Sequence, residues 1–117
     1  MRKLLLVAAL LTGVAIITPA HAAPLDGNGL NQWCTERDTV MACRGYLLGE
    51  WDSMTNFADY AKTAFFCPAG TVTAEQLRMV FINATQTNPA ALSLPAPTFV
   101  FGAYSRAFPC KDTLQGK

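Results

Sequence analysis

Four cysteines, Cys34, Cys43, Cys67 and Cys110, are the side chains in this sequence best equipped for covalent chemistry. Their separations of 9, 24 and 43 residues contain no C-x-x-C pair. That spacing speaks against a four-cysteine zinc site and against a redox dithiol, both of which use close pairs. An even cysteine count in a small exported domain reads instead as two disulfides. Two carboxylates, Glu50 and Asp52, invite an acid–base reading. At i and i+2 on a helix they point apart, so they cannot flank one bond from that helix alone.

The compartment follows from the N-terminus. Arg2 and Lys3 precede an almost wholly apolar run over residues 4–17, and Ala20-His21-Ala22 supplies small residues at the cleavage offsets. This is the pattern of a secretory signal peptide, with cleavage expected after Ala22. The apolar run falls short of the roughly 20 residues a spanning helix needs. The expected organisation is therefore a signal peptide over 1–22 and one domain over 23–117, delivered to the periplasm. Cleavage removes Arg2 and Lys3 from the nine basic residues, against eight acidic ones, for a net charge of about −1. Such a balance argues against nucleic acid or an anionic membrane as partner. Cleavage also removes His21, the only histidine. A Ser-His-Asp triad, a Cys-His pair and any histidine metal site are thereby excluded, and no cofactor or metal is expected. A small enzyme would need a carboxylate or tyrosine mechanism in a real cleft, for which so small a bundle has little room.

The elements that position these residues read as helices. Residues 27–33 suit a short helix ending near Cys34. Asp38 is the expected N-cap of a long one, along which Val40, Cys43, Leu47, Met54, Ala58 and Ala61 recur at helical spacing, with Trp51 filling the gap. Thr73-Ala74-Glu75-Gln76 is a capping-box pattern, and it opens a helix with Leu77, Val80, Phe81 and Ala84 on one face, stopped at Thr87-Asn88-Pro89. A helical turn follows at 89–92. Phe99, Val100, Ala103, Tyr104 and Ala107 form the last stripe, ended by Pro109. No run alternates as a strand would. The fold class is all-α, a small disulfide-stapled four-helix bundle.

Short connections favour antiparallel neighbours, which puts Cys67 and Cys110 at one end of the bundle and Cys34 and Cys43 at the other. A Cys43–Cys67 bond would have to cross a helix about 36 Å long at 1.5 Å per residue. The expected pairs are Cys34–Cys43 and Cys67–Cys110.

Gly45 and Gly49, with Ser53 four residues on, make a small-residue stripe bracketed by Tyr46, Leu47 and Trp51. Each glycine costs about 1 kcal/mol against alanine inside a helix, so a close backbone approach is expected there. It is either packing within the chain, with Gly45, Tyr46, Gly49 and Asp52 as helix-packing residues, or the seam of a homodimer. Asp52 reads as a helix-capping or loop-anchoring carboxylate. Asp59 and Lys62 are spaced as an i, i+3 surface pair. Phe99 and Phe101 cannot share one helical face, and Phe101 is the one expected at a partner surface.

In order, these motifs resemble the Rap/Tai family of type VI secretion immunity proteins. The resemblance rests on Cys34, on Cys43-Arg44-Gly45-Tyr46-Leu47-Leu48-Gly49-Glu50-Trp51-Asp52, and on Cys67-Pro68-Ala69-Gly70-Thr71-Val72-Thr73-Ala74-Glu75-Gln76-Leu77. It continues through Asn88-Pro89, Leu94-Pro95-Ala96 and Ala107-Phe108-Pro109-Cys110. It implies a small periplasmic, all-helical, non-catalytic protein that binds a secreted cysteine amidase and blocks its cleft. It further implies a homodimer that reaches the enzyme through the loop before the last helix, here 86–93, with Gln86, Thr87, Asn88 and Pro89 as partner-binding residues. Nothing in that loop is charged or aromatic, and its other reading is a plain connector. Pro97 and Thr98 stand where the family tends to have good helix formers, which predicts a later start for the last helix. The alternative function is a periplasmic binding or envelope-stress module on the same scaffold with a non-amidase partner.

Overall fold

The computed structural model describes residues 23–111. The expected signal peptide, its cleavage site and His21 lie outside the described residues, as do residues 112–117. Four α-helices follow in order, α1 (Gly27–Thr35), α2 (Val40–Ala61), α3 (Ala74–Thr87) and α4 (Ala96–Ala107), with a 3-10 turn, Pro89–Ser93, between the last two. Among the described residues there is no strand, only an isolated bridge between Asp26 and Pro95.

Local chemistry sets the helix ends. The Asp26 carboxylate accepts from the Gly29 N–H at 2.8 Å and caps α1. The capping box of α3 is complete: the Gln76 N–H donates to the Thr73 hydroxyl at 3.2 Å, and the Thr73 N–H donates to the Gln76 side chain at 2.8 Å. Asp38 is not the cap of α2. That helix starts one residue later, with Thr39 at the cap position and no side-chain cap bond. The Thr39 hydroxyl donates instead to the Trp33 carbonyl at 3.1 Å, so it ties the start of α2 to α1. At the other end Lys62 turns left-handed, φ 55°, and its N–H returns to the Ala58 and Asp59 carbonyls. That turn takes Lys62 off the helical face, and the expected ion pair with Asp59 is not made. Nor does α4 start late: it begins at Ala96 with Pro97 in its first turn. A first-turn proline loses only an N–H that would have had no helical partner, and its φ is already helical.

Leu30, Leu47, Leu77, Phe81, Phe99, Val100 and Tyr104 form the core together with Cys34 and Cys43. Both expected disulfides are formed. Cys34–Cys43 joins α1 to α2 with its Cα atoms 5.0 Å apart, and Cys67–Cys110 joins the segment after α2 to the segment after α4 at 4.9 Å. The start of α1 is stitched to the start of α4: the Gly27 N–H donates to the Leu94 carbonyl at 3.0 Å, and the Ala96 N–H donates to the Leu25 carbonyl at 2.9 Å. A Cβ on residue 27 would stand 2.8 Å from the Leu92 carbonyl oxygen, so glycine permits this approach.

Candidate functional site

Two groups that could act as acids or bases, Tyr46 and Tyr104, are built into the packing of the helices. The Tyr104 hydroxyl is buried and donates to the Leu47 carbonyl at 2.8 Å. Burial raises its pKa, and the nearby Glu50 carboxylate and Tyr46 raise it further. Tyr46 is raised by burial first and then by its hydrogen bond with Glu50. Both phenols therefore stay protonated. Asp52 is exposed and anchors nothing, in contrast to its expected role. Among the described residues no group of three or more metal-ligating side chains could hold a metal ion.

One charged cluster ties three helices. Glu75 accepts from Arg78 at 2.8 Å and from Arg44 at 2.6 Å, and Arg78 also donates to the Cys34 carbonyl at 2.9 Å. The hydrogen bonds from Arg78 and then Arg44 pull the Glu75 carboxyl down to about 2, and the same contact raises Arg78.

The glycine stripe faces outward. No heavy atom lies within 4 Å of where a Cβ would stand on Gly45 or Gly49, so the expected packing of another helix of the same chain on the stripe is not made. Of the four residues assigned to helix packing, only Tyr46 turns inward, with its ring edge-on to Trp33 at 6.4 Å. Gly45, Gly49, Asp52 and Ser53 are exposed, and they share the outer surface of α2 with Met41, Leu48, Phe57 (59% exposed) and Tyr60 (85% exposed). A small-residue stripe looks the same in sequence whichever way its helix is rolled.

The residues expected to meet a partner fall in two places. Phe99 is buried (5% exposed) and Phe101 is not (41% exposed). Phe101 packs against Phe65 at 5.6 Å and Phe66 at 5.5 Å, and Phe65 stacks on Phe57 at 6.0 Å. The result is an aromatic surface at the α2 end. Thr87 and Asn88 lie beyond α4 on its other flank, where they line two adjoining hollows of about 140 and 80 Å³ between α3, the 3-10 turn and α4. Gln86 and Pro89 are exposed and line neither. Both hollows share Ala84, Ala103 and Arg106. Sequence reasoning missed Arg106 and Asn83 as lining residues. The available signal was charge: between Gln76 and Lys111 there is no Asp or Glu.

The span that holds the four helices and both disulfides coincides with the match to a known family. The model of the Rap1a immunity proteins matches residues 26–110, from the cap of α1 to the last cysteine. The chain belongs to that family. No curated protein and no solved structure matches it significantly. Membership makes it an immunity-type protein, one that binds a partner effector. Two disulfides fit an extracytoplasmic protein. No helix among the described residues is long and apolar enough to cross a membrane.

Proposed function

We propose that this protein is exported to the periplasm, with cleavage after Ala22, and there binds and occludes a peptidoglycan amidase effector delivered by type VI secretion. The observation that carries the reading is the match to the Rap1a immunity proteins over the whole bundle. The leader pattern and the oxidised cysteines support the compartment. The mechanism is steric and needs no catalytic group. The surface in reach of the enzyme is the loop 86–93 with the adjoining faces of α3 and α4. The outer face of α2, small at Gly45, Gly49 and Ser53 and apolar at Met41, Leu48, Phe57 and Tyr60, suits a second copy of the chain.

A periplasmic protection assay tests this. Cysteine amidases are exported in a bacterial host with and without co-exported residues 23–117. Rescue from lysis together with a stable complex on size exclusion is the expected result. Lysis with every amidase type tried, and no complex, overturns the amidase reading. Light scattering on the protein alone should give the mass of a dimer, and Gly49→Leu should give that of a monomer.

A further inference from the structure

We infer that Arg106 is a carboxylate receptor, and that the α3–α4 groove around it takes an Asp or Glu side chain from a segment of the effector. This rests on the reading of the chain as an effector-binding immunity protein and names the group on the effector that is recognised.

Arg44 and Arg78 share Glu75. Arg37 and Lys62 make no ion pair among the described residues, but each has a carboxylate within three residues in sequence, Arg37 between Glu36 and Asp38 and Lys62 after Asp59. Arg106 has no such neighbour: α3 beyond Glu75, the 3-10 turn and α4 carry no acidic residue at all. Among the described residues its guanidinium makes no ion pair or hydrogen bond. It lies along α4, where a Cβ on Gly102 would stand 3.8 Å from its terminal nitrogen.

The surroundings suit an anion that brings its own hydrogen-bond acceptors. The shared lining is made by Ala84 and Ala103, small enough to leave the hollows open. Asn83 lines the first and Asn88 the second, each with a side-chain amide that has no partner among the described residues, while the Thr87 hydroxyl is turned back on the Asn83 and Ala84 carbonyls. Asn83 shares the first hollow with Arg106 and Asn88 the second, so in each the guanidinium fork meets one amide and no carboxylate. That set fits the planar, bidentate geometry of a carboxylate and discriminates against a cation. The same arginine sits in the last turn of α4, where a positive charge also suits the helix dipole. Arginine and lysine serve the dipole alike, and only arginine offers the fork.

Two measurements test the assignment. The first titrates the protein with Ac-Gly-Glu-Gly-NH2 or Ac-Gly-Gln-Gly-NH2 to 20 mM and follows the Arg106 Nε–H and the Asn83 and Asn88 side-chain amides by NMR. Saturable shifts with the glutamate peptide only are expected, and their loss in Arg106→Ala. Equal shifts with both peptides, or none, overturn the receptor. The second uses the amidase neutralised in the protection assay. Arg106→Ala should weaken binding by about 10- to 100-fold, as loss of a charge-assisted bond would, with Arg106→Lys in between and the melting temperature of Arg106→Lys unchanged. Wild-type affinity in Arg106→Ala overturns the inference and leaves the immunity reading standing. Glutamate-specific shifts in a protein that neutralises no amidase leave the groove and remove the amidase.

Discussion

The two disulfides sit in different surroundings. At the α1–α2 end the disulfide spans 9 residues and joins helices already adjacent in sequence. What holds α3 there is charge: Glu75 between Arg44 and Arg78, with Arg78 reaching the Cys34 carbonyl. Around the second disulfide no ion pair is formed among the described residues, and the Cys67–Cys110 bond spans 43 residues among stacked aromatic rings, with Trp51 on Phe66 at 5.4 Å and edge-on to Phe108 at 5.3 Å. The lesson is a division of labour. Where sequence neighbours meet, a short staple suffices and polar contacts recruit the third helix. Where distant segments meet, the staple itself supplies the long-range link.

The comparison breaks most visibly at the cysteines. Replacing Cys67 and Cys110 by serine should cost about 4 kcal/mol on the chain-entropy model, against about 2.5 kcal/mol for Cys34 and Cys43. In a domain of this size each kcal/mol shifts the melting temperature by roughly 4–8 °C. Thermal melts of the two double variants should therefore separate clearly, and equal losses would end the distinction between the two staples. Gly27→Ala comes next. It drives a methyl group into the Leu92 carbonyl, and overpacking of this kind costs about 1–3 kcal/mol, to be read by urea denaturation. Tyr104→Phe removes the bond to the Leu47 carbonyl from the middle of the core and should cost about 1 kcal/mol in the same experiment.

The smallest effect belongs to the charged cluster. Glu75 is depressed to about 2 in the folded protein from an ordinary 4.5, so its contribution is fully present above pH 4.5 and is lost as pH falls toward 2. The gap in melting temperature between wild type and Glu75→Gln should close over that window, and added salt should narrow it at neutral pH. A gap constant from pH 6 to 2 would assign the difference to packing.

Much of this was legible in the residues. The disulfide pairs followed from antiparallel packing, and the Thr73–Gln76 capping box is a purely local signal that came out intact. Signals that depend on a neighbour fared worse. Thr39 displaced Asp38 because its hydroxyl found the Trp33 carbonyl, which no local pattern announces. Gly45 and Gly49 carried the right information about size and none about direction, since that depends on how α2 rolls onto α1, α3 and α4. Loop 86–93 could be located, but Thr87 and Asn88 acquire a neighbour in Arg106 only when α3 and α4 lie side by side. Phe101, also expected at a partner surface, sits five residues from Arg106, about 140° around the helix.

The disulfide pattern has a consequence for biogenesis. Both bonds join cysteines that follow one another along the chain, the first with the second and the third with the fourth. In a chain that emerges N-terminus first, Cys34 and Cys43 are presented together before Cys67. Consecutive pairing is the pattern that a dithiol oxidase acting on cysteines in order of emergence produces, so this arrangement asks less of an isomerase than an interleaved one would.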